Sequence, residues 1–363
     1  MDDTFRVLIV GYSIRYIAAS AKRAGYEVHC IDYFEDIDLK RCAEVYPLGD
    51  IATEKELQSY IDGLGVEFDA IILGSGFERF RLRGNVLNNN SKIMEEVTNK
   101  RLLAGKLSKL GIRHPRTYSL SDPQYPAIAK PLFGAGGIDI YPVNCEDDLP
   151  EDDSFLLQEF ITGIPVSVSI ISTGDDATAI AVNEQIIGEK KFSQMLPFGY
   201  CGSITPFLTN YSDEICKVAE ELVLDLGLIG TNGVDFILTK DGPYVIEVNP
   251  RFQATLDTIE LATEMNIFDA HIKAFDGKMP QKKKVKRYAA KTIVFTDEVF
   301  ELRSDLDREG ILDISPVGRV IPMGDPVATA IGVGENRTEA LHSMMENVFF
   351  IQGKIEESKS CVK

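Results

Sequence analysis

The stretch from Gly233 to Thr255, GVDFILTKDGPYVIEVNPRFQAT, constrains this chain more than any other. Val234–Leu238 and Tyr244–Val248 alternate apolar and polar residues around Thr239–Pro243, whose Asp-Gly step is a hairpin signal. The polar positions are unlike those of an ordinary hairpin. Asp235 stands inside the first strand, and Glu247 and Asn249 alternate with Val248 at the end of the second. With a side-chain period of two, Glu247 and Asn249 share a face, and a paired register can bring Asp235 to it. A solvent-facing strand edge carries such charges singly; the whole set, flanked by apolar runs, reads as a metal site. Two carboxylates and an amide oxygen are hard ligands that suit Mg²⁺, which leaves part of its shell to substrate phosphates. Arg251, two residues on, could stabilise a phosphoryl or acyl-phosphate oxyanion.

Upstream lies a second unusual stretch. Tyr125–Pro131 reads as a strand ending in Lys130, followed by a loop with Gly134, Gly136 and Gly137. Bare N–H groups in such a loop can wrap phosphates. It is not a Walker A loop, because the lysine precedes the glycines and no helix-opening K-[ST] follows. Asn99 can cap a helix with Leu103, Leu107 and Leu110 on one face. Lys100 then occupies its first turn, where a cation gains nothing from the macrodipole and makes sense if it reaches an anion.

The N-terminal part opens as strand, helix, strand: FRVLIV, a helix over about 14–24, and Glu27–Ile31 reaching Asp32. That predicts a Rossmann-like parallel sheet. Gly11 stands alone where a dinucleotide site would have G-x-G-x-x-G, so the NAD reading is weak. A later strand, Asp69–Leu73, ends in Gly74-Ser75-Gly76-Phe77-Glu78, glycines that let a backbone approach a ligand or simply make a tight turn. The 212–227 segment is an amphipathic helix carrying Ile215, Val218, Ala219, Leu222 and Leu226. After a basic run at 282–287, read as a solvated linker, strands are expected near 289–296, 319–323 and 326–333. A last helix follows, capped by Thr338 and frayed beyond Gly353.

The chain has 363 residues, enough for two or three domains. Its net charge of −18 argues against a nucleic-acid or anionic-membrane partner, since both want a basic face. No window approaches about 18 consecutive apolar residues, and the N-terminus enters a strand directly, so the expected location is the cytoplasm. Cys30, Cys42, Cys145, Cys201, Cys216 and Cys361 are far apart with no C-x-x-C, which predicts free thiols rather than zinc or disulfides.

D-F in one strand followed by E-V-N-P-R resembles the metal-binding strand pair of the ATP-grasp superfamily, in particular the biotin carboxylase and carbamoyl-phosphate synthetase branch. The order K-P-x-x-G-x-G-G resembles that family's phosphate lid, N-K…KLGIRHPRTY its leucine-rich helix, and GVGENRTEALHSMMENV the C-terminal helix start of biotin carboxylases. The resemblance implies an α/β fold with α+β elements. It would comprise a Rossmann-like domain over 1–95, an ATP-grasp domain over 96–280 with its lid at about 118–195, and a β-rich module over 285–355. It implies ATP and Mg²⁺ as cofactors, with Mn²⁺ as an alternative ion. Lys100, Lys130, Gly134, Gly136 and Gly137 would hold phosphates, and Asp235, Glu247 and Asn249 the metal. Gln158 would face the nucleotide, with Glu159, Phe160 and Ile161 forming the hinge whose backbone meets adenine. Arg251 matches a catalytic arginine, while Ser75, Glu78 and Arg319 would border the acceptor.

The chain departs from related patterns at Pro165, where a ribose-binding Glu is common, and at Gly202-Ser203, where Asp-Ser is common. The activity implied is a carboxylate–amine or thiol ligase acting through an acyl phosphate on small molecules, with a homodimer left open as the assembly. A bicarbonate-using carboxylase, a phosphotransferase and a non-catalytic nucleotide-binding subunit remain alternatives.

Overall fold

The computed structural model describes residues 4–360, so Cys361 lies outside the described residues. Arg6–Gly11, Glu27–Asp32, Glu44–Pro47 and Ala70–Leu73 form a four-stranded parallel sheet with Arg6–Gly11 between Glu27–Asp32 and Ala70–Leu73. Strand order therefore reverses beside Arg6–Gly11, and loops 11–13 and 74–78 meet at the carboxyl ends. Gly11 is needed there, because a Cβ would lie 2.5 Å from the Ile14 side chain. Asp32, at the end of its strand, is turned inward and accepts the N–H groups of Ile14 and Glu35 at 3.0 and 2.7 Å. That closes the strand end on itself.

The centre is an eight-stranded antiparallel sheet. Gly242–Asn249 is at one edge, followed by Gly230–Thr239, Ile164–Ser172, Ala177–Ile187 and Tyr200–Thr205. Tyr288–Phe295, Pro326–Gly334 and Ile311–Leu312 continue the same sheet. The C-terminal segment is thus continuous with the central sheet through the pairing of Tyr200–Thr205 with Tyr288–Phe295. One core buries Ile215, Ala219 and Leu222 of helix Ser212–Asp225 against Val166, Val168 and Phe236 of the sheet. That is the stripe the helical spacing predicts. Another buries Met344, Val348 and Ile351 of helix Arg337–Ser360 against Val294 and Ala330.

A smaller sheet of Thr117–Tyr118, Phe155–Glu159, Ala127–Pro131 and Tyr141–Val143 carries the glycine loop. It encloses its own core of Ala127, Ala129, Val143 and Leu157.

Two local expectations change. The last helix runs through Gly353 to Ser360, held by buried Ile351 and Ile355, rather than fraying. Its start is capped by Asn336, whose side chain accepts the Glu339 N–H at 3.0 Å; Thr338 is already inside it.

Candidate active site

The hairpin forms as Gly230–Thr239 and Gly242–Asn249. Lys240 and Asp241 make the turn and Gly242, at φ 116°, supplies its positive torsion, so the turn is shorter than the five residues expected. Asp235 pairs directly with Glu247 and Gly233 with Asn249, which sets the three polar side chains on one face. A bulge beyond Asp235 shifts the remaining register.

The two carboxylates are held differently. Asp235 accepts Gln185 Nε2 at 3.0 Å and Asn249 Nδ2 at 2.8 Å. Burial first, and then repulsion from Glu247, push it up to about 7, against the pull of Arg251 and the two amides. Glu247 faces Lys100 Nζ at 3.2 Å. Two carboxylates that repel each other in a buried place suit a divalent cation. Among the described residues no three His, Cys, Asp or Glu side chains form a metal cluster. The donor set is the smaller one, two carboxylates and an amide, that leaves room for phosphate oxygens. Asn249 turns its NH₂ to Asp235 and its oxygen to Arg251 Nη2 at 3.3 Å; rotating the amide would exchange the two.

Both lysines reach this face. Lys130, at the end of strand Ala127–Pro131, is buried and donates to Gln158 Oε1 at 3.2 Å. Burial pulls it down to about 8, with Glu247 opposing and Lys100 adding to the shift. Lys100 opens helix Lys100–Leu110, where Asn99 caps the N–H groups of Arg101 and Leu102. It also donates to the carbonyl of Gly134 at 3.1 Å, which ties the glycine loop to the hairpin.

In that loop Gly134, Gly136 and Gly137 have φ of 147°, 71° and 81°. A Cβ on Gly137 would lie 2.2 Å from the Phe198 carbonyl oxygen. In the hinge, the Glu159 N–H is taken by the Arg116 carbonyl and that of Phe160 by Pro126. Ile161 is the hinge position whose N–H has no hydrogen bond among the described residues.

Arg251 lies between the metal face and the N-terminal loops. Its Nε pairs with Glu78 Oε1 at 3.3 Å and its Nη1 donates to the Phe252 carbonyl at 3.0 Å. Ser75 sits on the same loop as Glu78, its carbonyl accepting Tyr12 N–H at 3.4 Å. Arg319 is elsewhere: its Nη1 donates to the Phe34 carbonyl at 2.7 Å and the guanidinium covers the Phe34 ring, tying the C-terminal strands to loop 32–36.

Sequence reasoning missed two groups. Gln185, which fixes Asp235, is signalled only by the break in apolar alternation at Asn183-Glu184-Gln185 in strand Ala177–Ile187. The other is a buried ionic hub. Arg15 Nη1 and Nη2 donate to the two oxygens of Asp257 at 3.0 and 2.6 Å, and Nε to Asp313 at 2.8 Å, with Lys291 on Asp257 at 2.9 Å. These residues are too distant in sequence to leave a local pattern.

Residues 97–255 match the ATP-grasp domain family. An uncharacterized protein of Methanocaldococcus jannaschii is 28% identical over 372 residues, covering 95% of this chain and 92% of that protein. A tyramine–L-glutamate ligase of the same organism is 36% identical over 106 residues, which is 29% of this chain and 32% of the ligase, about a third of that relative's length. Among solved structures, a biotin carboxylase β,γ-ATP complex from Campylobacter jejuni matches with a TM-score of 0.75 at 15% identity, over 93% of this chain and 89% of that one. At that identity the likeness is one of fold.

Proposed function

From the premise that the chain carries an ATP-grasp domain at residues 97–255 within an ATP-grasp fold, we propose an ATP-dependent ligase that joins a carboxylate to an amine through an acyl phosphate. The observation that carries this reading is the convergence of Lys100, Lys130, Asp235, Glu247 and Asn249 on one face, with Arg251 at its border toward loop 74–78. Lys130 and Lys100 grip the β- and γ-phosphates, and the loop at Gly134–Gly137 covers them and excludes water. Ile161 N–H is the hinge donor for adenine. Asp235, Glu247 and Asn249 would hold Mg²⁺, which would neutralise phosphate charge during transfer.

A substrate carboxylate oxygen attacks the γ-phosphorus, and the bond to the β-phosphate oxygen breaks to release ADP. The amine nitrogen then attacks the acyl carbon, phosphate leaves, and the nitrogen loses one proton. Arg251, oriented by Glu78 and the Phe252 carbonyl, stabilises the oxyanion in both steps. The alignment in sequence with a tyramine–L-glutamate ligase supports amide formation.

The test is to incubate the protein with Mg-ATP, hydroxylamine and pooled cellular carboxylic acids, and to search for hydroxamates by mass spectrometry. A hydroxamate accompanied by ADP and phosphate is expected. Phosphate release that depends on bicarbonate alone, with no hydroxamate, would make the protein a carboxylase. AMP as the nucleotide product would overturn the acyl-phosphate route.

A further inference from the structure

The glycine loop is held at its root by backbone and by side chains. The N–H of Leu132 donates to the Ser154 carbonyl at 2.9 Å, and its carbonyl accepts the Lys100 N–H at 3.0 Å. Two side chains add to these. Lys100 Nζ donates to the Gly134 carbonyl at 3.1 Å, and between them the Phe133 ring is covered by the Arg79 guanidinium, 4.7 Å from its centroid. That second tie comes from the turn after strand Ala70–Leu73 of the parallel sheet.

The turn is well anchored. Phe77 is 2% exposed and packs on Phe80 with ring centroids 5.0 Å apart. The N–H groups of Phe77 and Phe80 donate to the Gly74 and Phe77 carbonyls at 3.1 and 2.9 Å. The two residues after Phe77 both reach the site, Glu78 at Arg251 and Arg79 at Phe133.

Arg79 has an unusual partner for a chain of net charge −18. Among the described residues its guanidinium enters no ion pair and donates no hydrogen bond, so the aromatic face is what holds it. A planar guanidinium stacks on such a face and is attracted to it electrostatically. Beside it opens a polar cavity of about 380 Å³ lined by Arg79, Arg81, Glu54, Ser91 and Glu95. A released guanidinium therefore has room to swing and carboxylates to turn toward.

Lys100 already holds Glu247 and the Gly134 carbonyl, and a phosphate in the site competes with both. Once Lys100 turns to phosphate, Arg79 is the remaining side-chain tie at the root of the loop. We propose that Arg79 is a positioning residue that latches the glycine loop through Phe133 while the nucleotide engages Lys100, and so keeps water from the transferred phosphoryl group. Glu78 orients Arg251 from the adjacent position, so one short turn sets both the arginine and the loop. This role rests on the ligase reading and adds a residue to it.

Hydrogen exchange of residues 132–138 in the full chain, with and without a non-hydrolysable Mg-ATP analogue, tests the latch. The analogue should slow exchange there in the wild type. Arg79→Ala should speed it by about 2- to 5-fold in both states, as expected for loss of an exposed cation–π contact, and leave helix Ser212–Asp225 unchanged. Phe133→Leu should match it, and the double variant should add nothing further. Phe133→Tyr, which keeps the ring, should behave as the wild type. In the hydroxylamine assay, Arg79→Ala should release more phosphate per hydroxamate formed. Exchange that Arg79→Ala leaves unchanged, additive effects of the two variants, or an unchanged phosphate-to-hydroxamate ratio would each overturn the latch. The wild type separates two failures: an analogue that does not slow exchange in 132–138 removes the nucleotide from beneath the loop and with it the ligase reading, whereas protection that survives Arg79→Ala removes only the latch.

Discussion

Lys130 is the side chain on which nucleotide binding should depend most. Its ammonium is buried, with one hydrogen bond among the described residues, to Gln158, and burial outweighs the help it receives from Glu247. A phosphate would supply the missing counter-charge. Lys130→Ala is therefore expected to weaken Mg-ATP binding by about 1.5–3 kcal/mol, the usual worth of a hydrogen bond to a charged group. Calorimetry finding unchanged affinity would remove Lys130 from the site. Lys100 differs, because Glu247 and the Gly134 carbonyl already hold it and a phosphate has to compete with both. At this scale the sequence was informative wherever chemistry clusters locally. Asp235, Glu247, Asn249 and Arg251 fall within one hairpin and its exit, and a period of two puts the first three on one face. Gln185 and Arg319 illustrate the limit. Gln185 reaches Asp235 from another strand, and Arg319 belongs to the seam with Phe34, and neither placement is readable from its neighbours in sequence.

The glycine loop joins strand Ala127–Pro131 to strand Tyr141–Val143, and its three positive torsions are not equivalent. A methyl on Gly136 would meet nothing within 4 Å, whereas one on Gly137 would strike the Phe198 backbone. Both substitutions carry roughly 1–2 kcal/mol for a left-handed torsion; only Gly137→Ala also has to displace its neighbour. Gly137→Ala is expected to raise the KM for ATP more than Gly136→Ala does, with little change in far-UV circular dichroism for either. Equal effects in steady-state kinetics would mean that the torsion, and not the packing against Phe198, controls the loop. Elements with strong periodicity, such as helix Ser212–Asp225 and the acidic hairpin, were legible in the sequence. The short helices Ser91–Thr98 and Ile267–Phe275 were not anticipated, since each offers too few turns for a stripe to stand out. The final helix was misjudged at Gly353 because the burial of Ile355 is a tertiary fact, invisible to local propensity.

Across the whole molecule, Arg15 connects three regions: its own N-terminal helix, Asp257 behind the hairpin, and Asp313 among the C-terminal strands. Arg15→Ala would leave Asp257 with Lys291 and take from Asp313 the guanidinium it pairs with. It is expected to cost about 3–5 kcal/mol in denaturant unfolding, as breaking one side of a buried pair does; a loss within experimental error would show that the hub is not structural. The acids around it also give stability a pH dependence of definite sign. Asp36 is pushed up to about 8 from 3.8, first by burial and then by Asp313, Asp32 and Asp38, with Arg15 opposing. Asp32 is pushed up to about 7, chiefly by burial. In the unfolded chain both ionise near their ordinary values. Between about pH 4 and pH 8 the native state therefore binds more protons than the unfolded state, and stability falls as pH rises. Asp257 acts in the opposite sense below that window, because Arg15 and Lys291 hold its carboxyl well under the usual range despite burial. Its contribution is complete above its unfolded value and is lost in acid. Asp36→Asn removes one of the two descending contributions, so its urea midpoint should exceed that of the wild type by a margin that widens from about pH 5 to about pH 8. A margin that stayed constant across that range would mean that Asp36 is ionised throughout, and a midpoint below the wild type would mean that its carboxylate has a partner in the folded protein.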